Sequence, residues 1–80
     1  MKLPRDISAE RLVSALGRIG YVVTRQTGSH LRLTCREPVE HHLTIPDHDP
    51  IRVGTLAAIL RDIAERRHRS RADLIAALFG

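Results

Sequence analysis

The residues best suited to chemistry gather in Arg25-Gln26-Thr27-Gly28-Ser29-His30, a small polar turn that ends in a histidine and opens a run of alternating apolar residues. Imidazole, with an ordinary pKa of ~6.5, both gives and takes protons near neutrality. Arg25 before the turn and Arg32 after His30 bring guanidinium forks, which grip phosphate bidentately where lysine offers only a point charge. The backbone N–H groups of Gly28 and Ser29 are a further resource, since a tight turn can aim successive amides at an anion.

These groups have to be held by local structure. Ser8 is a helix N-cap ahead of Leu12, Val13, Leu16 and Ile19, with Ile7 set to staple onto Leu12 and Gly20 set to end the helix. Tyr21-Val22-Val23-Thr24-Arg25 and Leu31-Arg32-Leu33-Thr34-Cys35 read as two strands joined through Thr27-Gly28-Ser29, a hairpin in which Gly28 is free to take positive φ. The adjacent valines leave the facing of Arg25 open and point to a bulge near the turn. A third strand, His41-His42-Leu43-Thr44-Ile45, is closed by Pro46. Leu56, Ile59, Leu60 and Ile63 form the stripe of a second helix with Thr55 as its expected N-cap, and Ser70 with Asp73 opens a short last helix carrying Leu74, Ile75, Leu78 and Phe79. The order predicts an α+β, two-layer αβββα domain with a short C-terminal helix, spanning residues 1–80 as one unit. If Leu31, Leu33 and Cys35 face the helices, His30, Arg32 and Thr34 share the free face of the sheet, joined by His42 and Thr44.

Composition narrows the function classes. Eighty residues make one small core, so a large enclosed substrate cavity is not expected and binding should occur at the surface. Net charge is +4, and all but one of the thirteen cationic side chains are arginine, which favours a phosphate-bearing partner. Tyr21 and Phe79 are the only aromatic residues, so stacking of bases on an aromatic platform is not expected. The single cysteine, Cys35, fits a reducing, cytoplasmic compartment, and no apolar run nears the ~18 to 20 residues of a membrane span. Met1-Lys2-Leu3-Pro4-Arg5 runs into a polar segment unlike a signal-peptide core.

The chain resembles the HicA (YcfA-like) family of small prokaryotic toxins. The resemblance rests on Gly20-Tyr21 after the first helix, Arg25-Gln26-Thr27-Gly28-Ser29-His30, Thr44-Ile45-Pro46-Asp47-His48, Gly54-Thr55-Leu56-Ala57-Ala58-Ile59-Leu60 and Ser70-Arg71-Ala72-Asp73. It implies a fold like that of double-stranded RNA-binding domains, cleavage of mRNA, a HicB-like antitoxin covering the active surface, and His30 as the catalytic histidine. Two departures stand out: Thr27 where many relatives carry a basic residue, and Asp47 and Asp49 flanking His48. RNA carries its own nucleophile, the ribose 2′-hydroxyl, so such a site must remove its proton, stabilise charge on the phosphate and protonate the leaving 5′-oxygen. That chemistry needs no metal or cofactor and leaves a 2′,3′-cyclic phosphate. Arg25 and Arg32 are the candidates for holding the phosphate, assisted by Gly28 and Ser29, and His42 is a possible second proton carrier.

Other readings compete for the same residues. The fold could serve as a non-catalytic RNA-binding module recognising A-form shape. Alternatively, the apolar Leu74/Phe79 helix could make this a protein-binding domain. His48 is expected to brace its loop rather than join with Asp47 and Asp49 in a metal site. The Arg66-to-Arg71 run reads as a solvated helix end.

Overall fold

Ser8 fixes the start of α1 (Ala9–Gly17): its hydroxyl oxygen accepts from the Arg11 backbone N–H at 3.1 Å in the computed structural model of the chain, which describes residues 3–80. The expectation for the opening segment therefore lies, at Met1 and Lys2, outside the described residues. Ile7 and Leu12 are both buried in the same core cluster, the positions a hydrophobic staple uses. Regular α-helix stops at Gly17, and a tightened last turn follows. Gly20, at φ +100°, then reverses the chain: its N–H donates to the Gly17 carbonyl and the Tyr21 N–H to that of Leu16, a Schellman closure.

Three antiparallel strands follow, β1 (Val22–Thr27), β2 (His30–Cys35) and β3 (His41–Pro46), in the spatial order β1-β2-β3. Thr27 pairs with His30, so the connection is only Gly28 and Ser29. Gly28 has φ +56° while Ser29 does not enter positive φ, the combination of a type II′ hairpin. The register slips between Val23 and Arg25, which makes Thr24 the bulged residue. Leu31, Leu33 and Cys35 of β2, and His41, Leu43 and Ile45 of β3, face the helices and are buried.

The second helix, α2 (Val53–Arg66), begins three residues before the position expected from Thr55, with Arg52 at the N-cap and no side chain capping it. The cause lies upstream: buried Ile51 donates its N–H to the Ile7 carbonyl at 2.7 Å, and the chain turns helical directly beyond that anchor, Leu56 N–H bonding Arg52 O at 2.9 Å. In α3 (Arg71–Phe79) the Ser70 hydroxyl accepts from Asp73 N–H at 3.1 Å, as its capping sequence predicts. Leu74, Ile75 and Leu78 are buried and Phe79 is partly buried as α3 packs on α1 and α2, so the apolar face of the competing protein-docking reading is largely taken up by the core. The buried face of the sheet and the apolar sides of the three helices share one core, giving the αβββα order with a further C-terminal helix.

The buried end of the sheet contains one polar cluster. His41, 6% exposed, has Nδ1 2.7 Å from the Val39 carbonyl, which can only accept, so Nδ1 carries the proton. Its Nε2 therefore accepts from the Tyr21 hydroxyl at 2.5 Å, with the two rings edge to face. Arg67, at the end of α2, extends over the Tyr21 ring and donates from Nη1 to Cys35 Sγ at 3.2 Å and to the Glu37 carbonyl at 3.4 Å. The basic run is thus solvated only in part: Arg66 pairs with Asp62 at the surface, while Arg67 turns inward.

Burial and the neighbouring Cys35 push the Tyr21 phenol from 10.0 up to about 12, against a smaller opposing pull from Arg67. Below pH 10 folded and unfolded chains both keep this proton, and the group adds no pH dependence. Between pH 10 and about 12 the unfolded chain sheds it first, so stability falls as pH rises through that window. Tyr21→Phe should remove this alkaline loss while lowering stability near neutrality by about 1–3 kcal/mol, because His41 Nε2 is left buried without a donor. Urea unfolding across the pH range measures both, and a folded-state phenol titrating at 10 would contradict the assignment. Gly28→Ala meets no atom within 4 Å, so its cost should be the backbone strain alone, roughly 1 kcal/mol, in the same measurement.

Candidate nucleic-acid interface

Burial of alternate residues on β2 leaves His30, Arg32 and Thr34 on the face away from the helices, as the alternation predicts. Cross-strand pairing then sorts the rest. Arg25 stands opposite Arg32, and Thr44 flanks Arg32 on the other side, so the open facing of Arg25 resolves onto the same surface. His30 lies between Thr27 and Pro46, two pairs along from this row, which makes it a diagonal neighbour of both Arg25 and Thr44 on the same face. All four side chains are exposed, and among the described residues neither arginine has an ion-pair partner. Two guanidiniums directly opposed on a sheet repel each other, so the pair favours an anion between them.

The turn beside His30 is braced from below. Asp47 N–H donates to the Ser29 carbonyl at 2.7 Å, His48 N–H to the Pro46 carbonyl at 2.9 Å, and the His48 carbonyl accepts from Ala9 N–H at 2.9 Å. The 46–51 loop thereby ties the hairpin tip to α1. His48 enters these bonds through its backbone alone; among the described residues its imidazole makes no hydrogen bond, so the expected bracing by the side chain is not seen. The N–H groups of Gly28 and Ser29 donate to no backbone carbonyl among the described residues and remain available at the tip. Asp47 brings a carboxylate to the residue bonded to Ser29, which makes the turn less attractive to an anion than a neutral loop would be.

His42 falls elsewhere. It pairs with Thr34, four residues from His30 along β2, a separation of about 13 Å. Its Nδ1 lies 2.8 Å from the Thr34 hydroxyl, which in turn lies 2.9 Å from that of Thr24. The two histidines share a face and not a phosphate. This hydroxyl chain across all three strands escaped the sequence reading, because only the bulge at Thr24 turns its side chain toward Thr34. Among the described residues no group of three or more His, Cys, Asp or Glu is arranged to hold a metal ion, and no helix is long and apolar enough to cross a membrane.

Comparison with known proteins places this geometry in a family. No curated protein and no solved structure matches the chain. A family model described as the HicA toxin of bacterial toxin-antitoxin matches residues 9–64, a span of 56 of the 80 residues that begins at α1 and takes in the whole sheet and most of α2. Systems of this kind pair each toxin with an antitoxin, so a protein partner comes with the assignment. Because the match covers the hairpin, the open face and the loop that braces them, the chain belongs to the HicA toxin family of bacterial toxin–antitoxin systems.

Proposed function

We propose that the protein is a cytoplasmic, metal-independent endoribonuclease that cleaves mRNA on the open face of its sheet, with His30 as general acid or base. The observation that carries this reading is the row in which two unpaired arginines, Arg25 and Arg32, oppose each other diagonally beside an exposed imidazole. A phosphodiester held between those guanidiniums brings its neighbouring 2′-hydroxyl within range of His30. The imidazole takes the 2′-hydroxyl proton as that oxygen attacks phosphorus, or delivers a proton to the departing 5′-oxygen. The arginines and the Gly28 and Ser29 amides offset charge growing on the phosphate oxygens. The second proton passes to or from water, to which the face is open. The products are a 2′,3′-cyclic phosphate and a 5′-hydroxyl.

Such a site is regulated most simply by being covered. A HicB-like antitoxin seated on the open face would bury His30 and occupy the arginine pair at once, presenting carboxylates or other acceptors where RNA presents phosphate. The rival reading, a non-catalytic RNA-binding module, uses the same arginines and dispenses with the imidazole.

Purified protein incubated with labelled RNA in EDTA should cleave it, and His30→Ala should slow cleavage by roughly 10²- to 10⁴-fold. Because His30 is exposed and its side chain is not hydrogen-bonded among the described residues, the same substitution should leave unfolding free energy within about 0.5 kcal/mol. Equal cleavage by the variant would refute the role of His30, and RNA binding by both proteins without cleavage would establish the module. Arg25→Ala or Arg32→Ala should each weaken RNA binding and reduce the slope of log affinity against log salt by about one. An unchanged slope would remove that arginine from the phosphate site.

A further inference from the structure

At the far end of β2 from His30, the sheet opens into a cleft of about 680 Å³. Arg18 from the end of α1, Arg36 after β2 and Arg67 at the end of α2 line it from three separate elements, together with Thr24 and Thr34. Ile19, Gly20, Val22 and Cys35 add apolar lining. The volume lies within the ordinary range for sites that take a small molecule, roughly 300–1,000 Å³. Glu37 and Glu40 also border the cleft, but Glu40 is engaged by Arg36 only in a loose, solvent-exposed pair at 3.9 Å.

Arg67 gives the cleft a fixed cation. Its guanidinium is held by Cys35 Sγ, the Glu37 carbonyl and the Tyr21 ring, so little side-chain freedom remains to be lost on binding. Those hydrogen bonds all leave from Nη1, and the fork has five N–H donors. Arg18 is exposed, and among the described residues its side chain has no ion-pair partner. Guanidiniums, threonine hydroxyls and apolar surface lining one cleft together fit a nucleotide: phosphate at the guanidiniums, sugar at Thr24 and Thr34, and base over Ile19 and Gly20.

We propose that this cleft is a distal subsite for the RNA strand being cut, holding a nucleotide several positions from the one whose phosphodiester lies at His30. The inference rests on the ribonuclease reading and extends it to substrate length. Thr34 stands about 13 Å from His30 along the strand. A stacked strand advances ~3.4 Å per nucleotide, so that gap is roughly four stacked steps, and a dinucleotide cannot fill both places. His42, the cross-strand partner of Thr34, stands at the cleft end of this path, which gives it a place along the strand rather than at the scissile bond.

The test reads binding in the His30→Ala protein, which separates it from any outcome for cleavage. A hexaribonucleotide should bind at least tenfold more tightly than a dinucleotide and shift the backbone amide resonances of Gly20, Val22 and Thr34, while the dinucleotide leaves those resonances in place. Arg18→Ala should weaken the hexanucleotide about tenfold, the scale of one charge-assisted hydrogen bond. Arg61→Ala, which removes the same charge from the exposed side of α2, should weaken it less than twofold. Equal losses from Arg18→Ala and Arg61→Ala would reduce the cleft to bulk charge and overturn the proposal. Adenosine 5′-monophosphate bound as tightly as the hexanucleotide would also overturn it, in favour of a free-nucleotide site.

Discussion

The alternation of β2 is the constraint on which the rest of the molecule depends. Leu31, Leu33 and Cys35 bury against the helices, and the pleat then leaves His30, Arg32 and Thr34 no direction but outward. A slip of one residue would expose the three apolar groups and drive a histidine and an arginine into the core. Burying one leucine side chain contributes about 1.5–3 kcal/mol, against a total stability of about 5–15 kcal/mol for a domain of this kind. Register is therefore specified by hydrophobic burial, and the open face inherits its geometry at no separate cost. The functional surface follows from the core.

The hairpin and the 46–51 loop convert that register into a position. Gly28 supplies the positive φ that a two-residue connection requires, which sets Thr27 against His30 and Arg25 against Arg32. The bulge at Thr24 keeps Arg25 on the open face despite the adjacent valines before it. At the other end of the sheet, Tyr21, His41, Cys35 and Arg67 lock the end of α2 to β2 and β3 around the buried His41 imidazole. One cation of the terminal basic run is thereby fixed in place, and the cleft beside Cys35 has a rigid wall. The two ends of the open face are held by different means: backbone bonds near His30, and side-chain packing near Arg67.

Much of this was legible in the sequence because the signals were local. Ser8 and Ser70 cap as their spacing predicts, and period-two alternation placed His30, Arg32, Thr34, His42 and Thr44 on one side correctly. What escaped depends on contacts distant in sequence. The start of α2 is set by Ile51 bonding to Ile7, and nothing near Thr55 records that. The parity that turned Leu43 and Ile45 inward also turns His41 inward, so its burial was implicit, whereas its partner Tyr21 lies twenty residues away. Arg67 looks like its neighbours in Arg66-Arg67-His68-Arg69, and only the docking of α2 singles it out. The separation of His42 from His30 likewise needs the cross-strand register, which a list of alternating residues does not contain.

In the proposed reaction the 2′-hydroxyl of the substrate acts as nucleophile beside His30. The most direct measurement is cleavage of an oligoribonucleotide in which the nucleotide 5′ to the mapped cut carries 2′-deoxyribose, compared with the unmodified strand. The deoxy strand should bind with similar affinity and remain uncut at that bond, while the all-ribose strand yields a 2′,3′-cyclic phosphate end. Cleavage of the deoxy strand at the same bond would contradict the account, because the nucleophile would then have to come from water or from the protein.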